Sequence, residues 1–274
     1  MYAASASNPF AELLRYRQLL ASLIWRDLRV RYKQSLLGMA WAVLLPMSMM
    51  LIFTFVFTRA VKVVGGLDIT MPYPLFAYTG LVPWTFFSAS LLGSVNSLVA
   101  NRNLVTKVYF PREVFPLSSI GSAFADFFIA GSVLVGLVAY FHFFTRWTFV
   151  PTSAIVFLPI VIIVQMIFTA GLGMLLAMAN LFYRDVRQLL GVAIQLWMFL
   201  TCVVYPIKND GSWWGIVAVC NPMTPIIKAY RQCLLEGTIP SGGAFASACI
   251  TAVCTFVLGW WAFRKMSHKF AECI

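Results

Sequence analysis

Charged residues are scarce in this 274-residue sequence, and acidic residues are especially few. It contains nine Asp and Glu residues against 20 Lys and Arg residues, and 11% of its residues are charged while 61% are hydrophobic. So little charge cannot cover the surface of a soluble protein of this length. The composition therefore predicts a polytopic membrane protein.

The sequence also lacks the motifs that carry catalysis or cofactor binding. It has no GxxxxGK[ST] phosphate loop, no HExxH and no GxSxG, and its two histidines, His142 and His268, are far apart. Its six cysteines form no CxxC pair, which favours a role as small apolar packing residues over a role as ligands. A disulfide between Cys220 and Cys233 is an alternative that the sequence does not decide. These absences predict a chain that is not an enzyme, has no metal site and binds no cofactor itself.

Long hydrophobic runs are what the sequence has in abundance. Residues 34–58 carry no charge, and about 20 apolar residues suffice to cross a bilayer as a helix. Such runs predict six spans, at residues 36–58, 75–100, 114–140, 152–179, 189–205 and 244–263. We therefore expect an all-α membrane protein with six transmembrane helices in residues 34–265, between segments 1–33 and 266–274.

A basic amphipathic segment precedes the first span. From residue 9 onwards, apolar side chains recur at helical spacing while basic side chains gather on the opposite face. The apolar face holds Leu13, Tyr16, Leu19, Leu20, Leu23 and Ile24, and the basic face holds Arg15, Arg26, Arg29 and Lys33. A mere orientation signal would need only a few positive charges, so the sustained stripe favours a helix lying at the membrane interface or against a partner.

The region before the last span is too short to cross the membrane twice. Residues 213–220 are apolar but end at residues 221–222, and a second short helical segment follows. Thr224 is expected to cap that helix, Pro225 to occupy its first position and Gly237 to end it. Two short helices around a proline corner predict a re-entrant or interfacial pair.

The basic residues are distributed unevenly about the predicted spans. Six spans place both termini on one side, and with that side inside, the inner segments carry fourteen of the 20 Lys and Arg residues. The positive-inside rule therefore predicts cytoplasmic termini. Because the basic residues flank spans, the net charge of +11 favours contact with anionic lipid over binding of nucleic acid.

Asp126 is an ionisable residue near the middle of the third predicted span. An unpaired carboxylate there costs about 2.5–3.5 kcal/mol, so it must pair, become protonated or face water. Two interpretations stay open: a polar contact in a conduit, or a structural hydrogen bond to a neighbouring helix. Asn96, Gln165 and Gln195, in other spans, favour contacts between helices over ligand binding.

Four segments, taken in order, resemble a known family. They read WRDLRVRYKQSLLGMAWAVLLPMSMMLIFTFVF, NLVTKVYFPREVFPLSS, NLFYRDVRQLL and NPMTPIIKAYRQCLLEG. Together with six spans, they resemble the membrane subunit of type-2 ABC exporters, in the branch that exports polysaccharides and polyol phosphates. The resemblance covers residues 20–265. The sequence around YFPRE is more similar to O-antigen exporters than to capsule exporters.

That resemblance implies a permease that dimerises and pairs with two copies of a separate ATPase, which binds the ATP and magnesium. The N-terminal helix would match the family's gate helix, residues 101–112 the coupling helix, and residues 213–236 the paired periplasmic gate helices. The substrate would be a lipid-linked glycan. The implied location is the bacterial inner membrane, with multiple spans and both termini cytoplasmic.

The resemblance also implies candidate site residues. The ATPase-coupling interface would comprise Arg29, Arg31, Arg102, Lys107, Tyr109, Phe110 and Arg112. The substrate route and its gate would comprise Asp126, Trp213, Trp214, Asn221, Pro222, Pro225 and Tyr230. Aromatic faces along that route would stack on sugar C–H surfaces without holding them tightly.

Other functions remain as alternatives. Capsule polysaccharide or teichoic acid could replace O-antigen, and an ABC exporter of small hydrophobic drugs or lipids would share the fold. A membrane enzyme acting on lipid-linked sugars would require clustered carboxylates or histidines, and Asp126 stands alone within its span.

Overall fold

The computed structural model describes residues 15–33, 37–60, 71–107, 110–145, 147–149, 151–183, 185–206, 221–240, 242–267 and 270. Every regular element in these ranges is helical. The α-helices are α1 Arg17–Lys33, α2 Ala40–Phe55, α3 Tyr73–Ala100, α4 Arg102–Lys107, α5 Val114–Phe144, α6 Leu158–Phe182, α7 Val186–Leu200, α8 Met223–Arg231 and α9 Gly243–Met266. Short turns of other helix types extend three of them, at Val56–Ala60, Ser153–Phe157 and Gln232–Glu236.

Five helical segments in the described ranges are long and apolar enough to cross a membrane. They are Ala40–Thr58, Tyr73–Ala100, Val114–Phe144, Ser153–Phe182 and Gly243–Met266, and they overlap predicted spans one to four and six. The predicted span at 189–205 coincides with α7, an apolar helix of 15 residues. Because a straight span needs about 20 residues, α7 alone does not establish a sixth crossing.

α3 lies at the centre of the bundle. Its residues are buried along most of its length, and it packs against α2, α5, α6, α7 and α8. Close approach depends on small residues, since a Cβ on Gly93 would lie 3.1 Å from Ser119 of α5. A helix enclosed by other helices has little surface facing lipid, which explains why α3 tolerates Thr79, Ser90 and Ser94 among its apolar residues.

The last span, α9, crosses α6 at very short range. A Cβ on Gly171 would lie 2.5 Å from the Cα of Phe256, and Gly259 packs against the backbone of Gly171 in return. Small residues at a helix crossing let two backbones approach closely. The two helices therefore form a tightly packed pair.

The apolar stripe of α1 packs against this chain's own α5. Leu23 is buried, and Leu19 and Leu20 pack against the same apolar cluster. A Cβ on Gly121 of α5 would lie 2.5 Å from Ile24 of α1, so the missing side chain makes room for the isoleucine. The stripe is therefore used for helix packing, while the basic side chains of α1 remain largely on the outside.

Candidate functional site

The predicted site residues fall at two ends of the bundle, which α3 connects because its first turns contact α8 and its last residue leads into α4. The end formed by α1, α4, residues 110–113 and the last turn of α9 is called the basic end. The end formed by α8, residues 201–206 and the first turns of α3 is called the corner end. Tyr109, Trp213 and Trp214 lie outside the described residues.

Asp126 of α5 is paired with two residues at the C-terminal end of α1. Its carboxylate accepts hydrogen bonds from the Arg31 guanidinium and from the Tyr32 hydroxyl. The Arg31 side chain is 42% exposed and the Asp126 side chain 20% exposed, so the pair lies at the edge of the bundle. Burial, with the bond to Asp126, raises the pKa of Tyr32 to about 12, which keeps its hydroxyl a donor. This link between α1 and α5 favours the structural interpretation of Asp126.

Arg29 belongs to a cationic surface beside that pair. Its guanidinium carbon lies 5.6 Å from the centre of the Trp25 ring. With Lys33 it lines a groove of about 530 Å³ between α1 and α5, which also includes Tyr32 and Ile129. The groove therefore combines positive charge with apolar side chains.

α4 holds the first predicted coupling residues. Arg102 is exposed at its first position, and Lys107 is its last residue. Val105 of the same helix is buried in an apolar cluster. Phe110, three residues beyond the helix, packs its ring 5.3 Å from that of Phe115. The predicted coupling segment is thus anchored to the bundle by its apolar residues, with Arg102 left exposed.

Residues 110–113 are also connected to the last turn of α9. The buried Glu113 carboxylate accepts a 2.8 Å hydrogen bond from Nε of Arg264. Arg112 donates to the Ser267 carbonyl, and its guanidinium carbon lies 5.8 Å from the centre of the Phe270 ring. Sequence reasoning missed Glu113, since a carboxylate next to a predicted span resembles any other flanking charge.

Asn221 organises the corner before α8. Its Oδ1 accepts hydrogen bonds from the Met223 backbone N–H at 3.1 Å and from Nε1 of Trp197 at 3.0 Å. Its Nδ2 donates to Thr201 Oγ1 at 2.8 Å. Asn221 thereby joins α7, the turn after it and the start of α8.

The start of α8 differs from the sequence prediction. The helix begins at Met223 after Pro222, so the prediction that Thr224 caps it and Pro225 takes its first position is wrong. Both residues are buried within the first turn, where proline is tolerated because the N–H it lacks would have no intrahelical partner. The prediction for the other end is confirmed, since Gly237 has a left-handed φ of 67° there.

Tyr230 connects three helices. Its buried hydroxyl donates to Oε1 of Gln165 on α6 at 2.7 Å, and Nε2 of Gln165 donates to the Pro83 carbonyl of α3 at 2.7 Å. The Tyr230 ring centre also lies 6.2 Å from that of Phe127 on α5. Gln165 is thus a contact between helices, as predicted.

Arg231 is a buried cation that sequence reasoning missed. Its side chain donates to the carbonyls of Phe76 and Val203, and its guanidinium carbon lies 3.6 Å from the centre of the Phe76 ring. Gly80 leaves the necessary space, because a Cβ there would lie 2.6 Å from the guanidinium. Its spacing of four residues from Ile227 places Arg231 on the apolar face of α8, and that spacing is the signal that could have found it.

The disulfide that the sequence left open is not testable in the described residues. Cys233 is buried, whereas Cys220 lies outside the described ranges.

Known proteins resemble the chain over nearly its whole length. An O-antigen export system permease protein RfbA of Myxococcus xanthus is 32% identical over 270 residues, covering 96% of this chain and 98% of that protein. A protein of the same name from Klebsiella pneumoniae is 30% identical over 261 residues, covering 93% and 95%. The polysialic acid transport protein KpsM of Escherichia coli is 22% identical over 254 residues, covering 89% and 91%.

The family comparison agrees with this similarity. The ABC-2 type transporter family matches residues 18–235, from the first turn of α1 to the segment that follows α8. That match covers well over half of the chain. The chain therefore belongs to the ABC-2 type transporter family of membrane proteins.

Proposed function

We propose that this chain is the permease subunit of an ATP-driven exporter that moves a lipid-linked polysaccharide, O-antigen, across the bacterial inner membrane. The observation that carries the proposal is the 32% identity to an O-antigen export permease over 96% of this chain and 98% of that protein. Because both chains align almost end to end, the similarity is not confined to one shared module. Membership of the ABC-2 type transporter family supports the same conclusion.

In this proposal the permease is not catalytic, and a separate ATPase binds ATP and magnesium and hydrolyses the ATP. Two permeases would form a homodimer that carries two ATPase copies. The ATPase would dock at the basic end, on α4 and the segment that follows it. The exposure of Arg102 and of Arg29 in this region supports that assignment.

The proposed topology has six spans and both termini in the cytoplasm. α7 with the turn at residues 201–205 would form the fifth crossing, and residues 213–236 would be re-entrant. The near-complete burial of α8 against its neighbours supports the latter, since a helix too short to span must be enclosed by protein.

Cysteine labelling with a reagent that cannot cross the membrane tests this topology in a background without native cysteines. Cysteines replacing Gly66 and Gly211 should react in intact cells, while those replacing Asn103 and His268 should react only after the membrane is opened. Labelling of position 268 from outside would contradict a cytoplasmic C-terminus.

The function is tested by deleting the gene and staining surface glycans. Loss of surface O-antigen, restored by the wild-type chain, is expected, and unchanged surface glycans would refute the proposal. Tyr109→Ala and Phe110→Ala should weaken retention of the ATPase in a pull-down and lower export, with the permease still present in the membrane. Tyr140→Ala is the matched control, because Tyr140 is an exposed tyrosine at the far end of α5.

The same staining separates the alternatives. The similarity to a polysialic acid transport protein at 22% identity supports a capsule-type polysaccharide as the second candidate substrate. Loss of a different surface polysaccharide with intact O-antigen would establish that candidate. Unchanged glycans with altered drug sensitivity would instead indicate a drug or lipid exporter.

The corner end would close the exit of the route in this proposal. Asn221, Pro222, Pro225 and Tyr230 would form one half of the closure, and the second permease would supply the other. Pro225→Gly, which frees the backbone of the first turn, should cause an ion leak in a protein that still binds its ATPase. Normal export without any leak would show that the corner is a structural loop and not a gate.

A further inference from the structure

The predicted coupling segment, residues 101–112, is followed directly by Glu113, which attaches it to a helix far along the chain. Glu113 lies just before α5, whereas Arg264, its partner at 2.8 Å, lies 151 residues later in the last turn of α9. The Glu113 side chain is only 5% exposed. A buried carboxylate that loses its cation is left uncompensated, so this pair resists separation.

Two further contacts hold the same surfaces together. Arg112 donates to the Ser267 carbonyl immediately after α9. Its guanidinium also approaches the ring of Phe270, which is fully buried and packs 5.0 Å from the ring of Phe263 on α9. Residues 112 and 113 therefore contact α9 and the residues that follow it at several points, which restrains both rotation and translation between them.

α9 in turn is bound tightly to α6. The backbones meet at Gly171 and Gly259, where neither position has room for a Cβ. Helices that are packed without gaps deform little, so they move together as units. A displacement of residues 110–113 would thus reach α9 and then α6, in addition to the adjoining α5.

We propose that Glu113 and Arg264 are positioning residues of transport, which make α9 follow the coupling segment when the ATPase moves it. This inference rests on the proposed function, because it requires an ATPase at the basic end. Its content is separate, namely that the last span moves together with residues 110–113. Without the pair, the ATPase would still bind and hydrolyse ATP, but the membrane helices would respond less.

Charge variants test this coupling in the permease–ATPase complex. Glu113→Gln and Arg264→Gln should each lower export about tenfold, the scale of a typical coupling between sites. Pull-down of the ATPase and its ATP hydrolysis should be retained. The exchanged pair, Glu113→Arg with Arg264→Glu, should recover part of the export. Lys265→Gln is the matched control, because Lys265 is exposed on the same turn and lies over the Trp261 ring.

The outcomes separate this inference from the proposed function. Wild-type export and wild-type ATPase pull-down report on the proposed function, and only differences among the variants report on the inference. Normal export by both single variants would overturn it. A loss of export matched by loss of the ATPase would also overturn it, since Glu113 would then belong to the docking surface.

A cross-link provides a second test, in which a covalent link replaces the ion pair. Glu113→Cys and Arg264→Cys, in a background without native cysteines, can be joined by a short bifunctional reagent in the membrane. The unjoined double variant lacks the ion pair and should export poorly, and joining the two cysteines should restore part of the export. If joining the two cysteines leaves export unchanged or lowers it further, the inference is wrong.

Discussion

The two ends of the bundle are held together by different chemistry. At the basic end, ion pairs link distant segments, and their cationic side chains are 42% exposed at Arg31 and 33% exposed at Arg264. At the corner end, Asn221, Tyr230 and Arg231 are buried and bond to neutral groups and backbone carbonyls.

Solvent determines what each kind of contact contributes. An exposed ion pair contributes little to stability and is screened by salt, whereas breaking a buried hydrogen bond leaves a polar group without a partner. The comparison therefore indicates that the corner end secures the fold. At the basic end, where we place the ATPase, the Arg31–Asp126 pair can rearrange at a lower cost in free energy, whereas the Glu113–Arg264 pair is held closed by its buried carboxylate.

The largest expected effect is that of Arg231→Met, which keeps much of the side-chain volume but removes the donors to Phe76 and Val203. We expect the free energy of unfolding to fall by about 3 kcal/mol, since buried polar groups without a partner cost about 1–3 kcal/mol each. Thermal unfolding of the detergent-solubilised protein is the measurement. Lys228→Met, an exposed cation on the same helix, should change stability by less than about 0.5 kcal/mol. Equal effects of the two variants would abolish the distinction between the ends.

A smaller effect is expected from Tyr230→Phe, which removes one hydroxyl and leaves Oε1 of Gln165 without its donor. The expected loss of stability is about 1–2 kcal/mol, measured in the same unfolding assay. Tyr183→Phe is the control, because Tyr183 is 73% exposed. A double variant with Gln165→Leu should lose less than the sum of the two single variants, since the hydroxyl and the amide act as one unit. Full additivity would show that the two groups do not depend on each other.

The smallest effect on stability is expected at the basic end, from Asp126→Asn. The loss should be about 1 kcal/mol or less at low salt, because the Arg31 side chain is 42% exposed and water screens the pair. It should shrink further at high salt, which screens the pair. Arg31→Gln should have a similar effect, and the double variant should add little to either. A large loss that does not depend on salt would place this pair with the buried contacts of the corner end.

Much of the helical architecture could be predicted from the sequence because a bilayer imposes length and composition on every crossing helix. For that reason the run at residues 36–58 nearly coincides with Ala40–Thr58, and the run at residues 244–263 lies within Gly243–Met266. α7 is the exception among the described helices, since its 15 residues end in a turn at residue 201. There the hydrophobic run continues further than the helix does.

The contacts of the site were less predictable, because helical spacing identifies the face of a residue but not its partner. The cost of burying a charge showed that Asp126 must pair, yet Arg31 lies 95 residues away. Thr224 is a suitable capping residue by type, yet the helix begins one residue earlier, at Met223. The Asn221 side chain before that start is held by Trp197 and Thr201, which belong to an earlier segment that helical spacing cannot identify.

The space beside Gly80 determines how late in synthesis the core of the protein can be completed. Arg231, whose guanidinium occupies that space, is synthesised 155 residues after Phe76, whose carbonyl it binds. Until then α3, the central helix, has an open notch at its first turns. A nascent chain therefore cannot complete the packing of α3 until Arg231, within its last third, has been translated. Release before residue 231 would leave a gap that cellular quality control can recognise in a segment made long before.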